Sequence, residues 1–119
     1  MTTKQIAARL VELCRKGEFE KAQKELYADD AVSIEAQAMG PFVKETKGLA
    51  AIEEKGRVFQ GMVEAMHNME VSDPVVADNS FSMTLFMDAT MKGIGRNSST
   101  ELCVYKVKDG KIISEEFFM

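Results

Sequence analysis

Near the start of the chain apolar residues recur every three or four positions, at Ile6, Leu10 and Leu13, with Ala7 and Cys14 beside the stripe. Thr2 and Gln5 stand at the spacing of a capping box, so the pattern predicts an amphipathic helix that ends near Gly17. A shorter helix is predicted from Glu18 to Tyr27, where Phe19, Ala22 and Leu26 repeat at helical spacing and Glu20 can pair with Lys24 on the outside. Asp29-Asp30 breaks that pattern. From Ala31 to Gln37 the period changes to two, with Val32, Ile34 and Ala36 on one side and Ser33, Glu35 and Gln37 on the other, which predicts a strand. After the Gly40-Pro41 loop, Ile52, Phe59, Val63 and Met66 share one face of a long helix predicted from Gly48 to Met66, with Gly56 and Gly61 inside it.

The remainder reads as strand: His67 to Val76, Ser80 to Lys92, Ser98 to Lys108 and Lys111 to Phe118. The breaks between them are Asp73-Pro74, Asp78-Asn79, Gly93 to Asn97 and Asp109-Gly110, the last a strong hairpin signal. Helices early and antiparallel strands late imply an α+β fold. The 119 residues suit one domain, 1–119, with room for a core and none for a second domain.

Composition narrows the function classes. Hydrophobic residues form 45% and charged residues 29% of the chain, the balance of a globular protein. The net charge is −4 and no Lys/Arg cluster faces one way, so a nucleic-acid partner is not expected. Charges interrupt the N-terminal stretch, which reads as neither a signal peptide nor a membrane span, and a cytoplasmic location is the default expectation. Cys14 and Cys103 lie among apolar neighbours with no partner at metal or redox spacing, so both read as reduced, buried thiols. No nucleotide, zinc-protease or serine-hydrolase motif occurs, and no cofactor or metal is expected.

Three segments, LYADDAV at Leu26 to Val32, KGLAAIEEKGRVF at Lys47 to Phe59 and VYKVKDGKIISEEFF at Val104 to Phe118, together resemble the SnoaL-like proteins of the nuclear transport factor 2-like superfamily. The resemblance covers nearly the whole chain. It implies a curved, mostly antiparallel sheet wrapped as a cone around a pocket, closed by three N-terminal helices, usually in a homodimer. The superfamily holds ketosteroid isomerase, polyketide cyclases, epoxide hydrolases and dehydratases alongside non-catalytic modules, so fold alone does not settle function.

Carried over position by position, the general-base aspartate of the ketosteroid isomerases corresponds to Glu35. A carboxylate in an apolar pocket is a better proton acceptor once ionised. The other reading of Glu35 is the polar side of a half-exposed strand. The isomerase's two hydroxyl donors correspond to Leu10 and Cys103, neither able to serve well, which argues against steroid isomerase activity. Glu101, on the face of Cys103, Tyr105 and Val107, is a candidate replacement acid, and Tyr27 or Tyr105 a candidate hydroxyl donor. His67, the only histidine, stands where the resemblance puts a pocket-wall histidine; a helix cap or surface residue is the alternative. Asp88 reads as exposed or as a dimer contact.

The expected pocket lining is Cys103, Tyr105, Met83, Phe59 and Tyr27. The nine methionines suit either a Met-lined cavity or plain core packing. The leading expectation is a pocket protein for a small apolar molecule, acting on it by cofactor-independent acid–base chemistry through Glu35, His67 and Glu101. The alternative is a non-catalytic ligand-binding or dimerising module. A homodimer through the outer sheet face is expected, because Ser80 to Lys92 is apolar on both faces.

Overall fold

The computed structural model describes residues 1–119. Helix α1, Thr3–Arg15, begins as the capping box requires: Gln5 N–H donates to Thr2 Oγ1 at 3.1 Å and Thr2 N–H donates to Gln5 Oε1 at 2.9 Å. Its apolar face buries Ile6, Ala7, Leu10, Val11, Leu13 and Cys14. Helix α2, Phe19–Leu26, buries Ala22 and Leu26 and passes straight into strand β1, Tyr27–Ile34. This strand starts before the Asp29-Asp30 break and ends before Gln37. Asp29 and Asp30 face solvent within an irregularity, where β1 takes five steps against two on its neighbour. Glu35 lies just past the strand, with its N–H bonded to the Lys44 carbonyl at 2.7 Å.

Strand β2, Glu45–Lys47, returns beside β1, and Gly48, at φ +92°, starts helix α3, Leu49–Met62. The helix ends four residues earlier than its apolar period predicts. Val63 and Met66 belong to β3, Val63–Val71, where pairing with Met91 and Ala89 of β5 replaces the helical turn. Strands β4, Val75–Val76, β5, Ser80–Met91, β6, Gly95–Lys108, and β7, Lys111–Phe118, complete the chain. At the β6–β7 turn Asp109 and Gly110 have φ of +52° and +74°, the two left-handed residues that an Asp-Gly hairpin turn needs.

The seven strands form one sheet in the order β2-β1-β7-β6-β5-β3, with β4 on β5. All its pairings are antiparallel except β1 with β7, so the sheet is mostly antiparallel, as expected, with one parallel pairing. The sheet is curved and unclosed, since its ends β2 and β3 do not meet. Three helices with this sheet give the α+β, cone-like architecture. Bulges bend it: Glu64 and His67 are extra residues on β3 and Ile113 is extra on β7.

The concave face carries the core. Phe81, Met83 and Leu85 of β5 stand opposite Tyr105, Cys103 and Glu101 of β6, and the Phe81 and Tyr105 rings stack at 4.8 Å. Ile6, Leu10 and Leu13 of α1 belong to the same buried cluster. On the convex face Leu102 and Phe118 pair across β6 and β7 and remain 42% and 45% exposed. No helix is long and apolar enough to cross a membrane.

Candidate functional site

The polar heart of the cone is Glu115, only 4% exposed. Simple alternation from buried Ile112 turns Ser114 inward and Glu115 outward. The extra residue Ile113 reverses that parity, because Val107 faces Ile112 while Tyr105 faces Glu115. Glu115 then meets β1, where Tyr27 and Ser33 are also buried. The Tyr27 hydroxyl donates to Glu115 Oε1, and the Ser33 hydroxyl donates to Oε2 at 2.6 Å. These two donors favour the carboxylate, whereas burial, the larger effect, raises the Glu115 pKa. Burial also pushes the Tyr27 and Tyr105 phenols far up, so both stay protonated donors.

Lys55 extends this chain towards solvent. It sits on the sheet-facing side of α3, three residues after Ile52 and four before Phe59. Its ammonium donates to Ser33 Oγ at 2.6 Å and to Glu35 Oε1 at 2.8 Å, and lies 5.9 Å from the centroid of the Phe117 ring. The side chain is 14% exposed, so its stem is packed and its charge little screened.

Glu101 completes the group. It shares the inward face of β6 with Cys103, Tyr105 and Val107, opposite Leu85. The contact made to its carboxyl is a weak one, from the Cys103 thiol at 3.8 Å. Burial, then repulsion from Glu35 and Glu115, raises its pKa to about 7; Cys103 and Lys55 oppose the rise. The arrangement therefore holds one carboxyl poised between donor and acceptor at neutral pH, beside an ammonium and two further carboxyls. Burial raises the Cys103 thiol too, which keeps it un-ionised and a poor nucleophile.

Of the residues singled out from sequence, Glu35 is paired with Lys55, and both act electrostatically on Glu101. Cys103, Tyr105, Met83 and Tyr27 are buried in the same concave face, and Phe59 is half-buried with its ring 6.4 Å from Phe42. His67 does not join them. It is the exposed bulge residue of β3, and its Nε2 lies 2.7 Å from Thr90 Oγ1. Thr90 and Asp88 flank buried Ala89 and so point to the convex side, where Asp88 pairs with Arg96 at 2.9 Å. The expected pocket-wall histidine is thus a surface residue on the far side of the sheet.

Sequence reasoning missed Ser33, Lys55 and Glu115. No three His, Cys, Asp or Glu side chains are placed to hold a metal ion. Two surface grooves of about 470 and 460 Å³ lie elsewhere, one between α1 and Asp73-Pro74 and the other at the β6–β7 turn.

The model of the SnoaL-like domain matches residues 1–119. The chain belongs to the SnoaL-like family. A Mesorhizobium loti protein, provisionally named a SnoaL-like polyketide cyclase, is 33% identical over 100% of both chains, with a TM-score of 0.92. Two more distant structures share the fold. A Mycobacterium tuberculosis protein in complex with estradiol-17β-hemisuccinate is 14% identical over 100% of this SnoaL-like chain and 95% of its own, with a TM-score of 0.74. A Catenulispora acidiphila protein with a ketosteroid isomerase-like fold, in complex with trimethylamine, is 17% identical over 99% and 87%, with a TM-score of 0.74. No curated protein matches the chain in sequence.

Proposed function

We propose that this SnoaL-like domain, spanning residues 1–119, binds a small, largely apolar molecule at the Glu35–Lys55–Glu101 end of the cone and acts on it by cofactor-independent acid–base chemistry. The observation that carries this reading is the Glu101 carboxyl, mostly withdrawn from water and raised to about 7 by burial and its carboxyl neighbours. A group that titrates near the working pH is the most effective proton donor and acceptor. Glu101 gives the proton and Glu35, ion-paired with Lys55, takes one, which suits an isomerase, cyclase or hydrolase of the kind the family contains. His67 has no part in it, because its ring lies across the sheet from both carboxyls.

The test is exchange at carbon. α-Tetralone and cyclohexenone incubated with the protein in D2O are expected to gain deuterium next to the carbonyl, and Glu101→Gln or Glu35→Gln to slow that gain by about a hundredfold. Binding without exchange would favour the second reading, a non-catalytic ligand-binding or dimerising module. That reading has its own support: every buried side-chain polar atom already has a hydrogen-bond partner, as expected of a network that only braces the fold.

The reading includes a homodimer through the convex face and a cytoplasmic setting. Exposed Leu102 and Phe118, with half-buried Phe86 and Val104 beside them, make an apolar surface that a second copy can cover. Light scattering is expected to give twice 13.2 kDa, and Leu102→Glu to return the monomer mass. A monomer mass for the unaltered chain at micromolar concentration would end the dimer proposal.

A further inference from the structure

Between Ile34 of β1 and Glu45 of β2 the chain forms an arm that is closed at its base and at its tip, with little to stiffen it between. At the base the Glu35 N–H donates to the Lys44 carbonyl at 2.7 Å. At the tip Met39 and Phe42 exchange two backbone bonds, each 3.0 Å, across Gly40-Pro41, where Gly40 at φ +58° supplies the first central residue of a two-residue turn. Ala36, Gln37 and Ala38 on the outward run and Val43 on the return make no backbone hydrogen bond. A paired tip is thus joined to a paired base by residues that can absorb a change of φ and ψ.

Both parts rest on one face of α3. Glu35 Oε1 accepts from Lys55 Nζ at 2.8 Å, and the Phe42 ring lies 6.4 Å from the Phe59 ring, centroid to centroid. Lys55 and Phe59 are four residues apart, so the arm runs along a single helical turn. The two anchors differ in strength. Lys55 is also bonded to Ser33 at 2.6 Å, and Ser33 is tied in turn to buried Glu115. Phe42, by contrast, is the one residue from Ala36 to Lys44 that is not exposed, and its neighbours Met39 and Val43 are 67% and 60% exposed. One aromatic contact holds the tip.

We infer that residues 36–43 form a hinged flap over the Lys55–Glu35 pair, with Phe42 as its latch on Phe59. Release of the latch swings the tip away from α3 about Ala36–Ala38 and Val43, while the Glu35–Lys44 bond keeps the base in place. Opening bares Lys55, whose side chain is only 14% exposed when the flap is closed. The motion costs little, because it breaks no backbone hydrogen bond and a tilted aromatic pair is a weak contact. As a gate for a small molecule the flap rests on the ligand-site reading above; as a hinge it does not, and it serves a binding module as well as an enzyme.

Lysine labelling of the full chain tests the hinge without any ligand. A limiting amount of acetic anhydride, followed by peptide mass spectrometry, reads the accessibility of Lys55 against that of Lys4, which is exposed at the start of α1. Phe42→Ala is expected to raise the Lys55 rate about two- to tenfold, the range set by a single aromatic pair, and to leave Lys4 unchanged. Phe59→Ala is expected to do the same and the double variant to add nothing, since both substitutions remove one contact. Hydrogen exchange at the Glu35 amide is expected to stay slow in all three, because the base remains paired. Lys55 labelling that Phe42→Ala leaves unchanged would overturn the flap. So would loss of protection at the Glu35 amide, because the ribbon would then be unravelling from its base. A hinge that passes both measurements in a protein that binds neither α-tetralone nor cyclohexenone would overturn the ligand-site reading, and the gating role with it, and leave the hinge standing.

Discussion

Helices α1 and α3 are nearly equal in length, 13 and 14 residues, and pack on the same sheet, yet they are buried very differently. Six residues of α1 are buried and all are apolar, whereas α3 buries Ile52 alone. The inward side of α3 then carries Lys55, half-buried Phe59 and half-buried Met62. Where α1 lies, the cone is filled with side chains packed to interior density. Where α3 lies, the interior is polar and built around an ammonium. The difference places stability at one end of the molecule and titratable groups at the other.

Substitutions can break or sharpen this contrast. The largest expected effect is at α1, where Leu10→Ala removes a fully buried side chain and should cost about 2–5 kcal/mol in urea unfolding. Phe59→Ala on α3 should cost less than half of that, and an equal cost would refute the contrast.

Next is Glu101. Its folded pKa of about 7 lies above the ordinary 4.5, so the folded state holds a proton that the unfolded state has lost between those values. Stability therefore falls as pH rises through that window, and the full penalty applies above 7. Glu101→Gln should remove the slope and stabilise the protein above pH 7 by on the order of 2 kcal/mol, the shift having been discounted for partial exposure. A variant that keeps the slope would assign it to another group.

Tyr27→Phe takes one of two donors from buried Glu115 and should cost about 1–2 kcal/mol. The smallest effect is on the convex face, where Arg96→Ala breaks an exposed pair with Asp88 and should leave the urea midpoint unchanged.

Local pattern made much of the fold readable before any coordinates. The capping box at Thr2 and Gln5, the stripe of α1 and the Asp109-Gly110 turn depend on neighbours in sequence, and each occurs where its residues put it. Strand parity also set Glu101 on the face of Cys103 and Tyr105, because β6 pairs with β5 without interruption from Gly95 to Lys106. Tertiary pairing decided the rest. Val63 and Met66 continue the period of α3, but bonding to β5 draws them into a strand.

Bulges explain the two largest departures in the site. The extra residue Ile113 turns Glu115 inward against its sequence parity, and the bulge at His67 puts that ring on the side of Thr90. No local signal marks either bulge. Lys55 was accessible in principle, since its spacing from Ile52 and Phe59 puts a charge on an apolar helix face. Ser33 likewise precedes Glu35 by two in the strand alternation. What sequence could not supply for either was the buried carboxyl that makes their positions useful.

The acid–base reading depends on Glu101, a glutamic acid tuned by its surroundings inside the cone. The measurement that addresses it most directly is a carbon-13 NMR titration of the Glu101 carboxyl, with Glu101→Gln used to assign the resonance. The midpoint is predicted at about 7. A midpoint at the ordinary glutamate value of 4.5 would mean that Glu101 is fully ionised at neutral pH, and would contradict the acid–base reading.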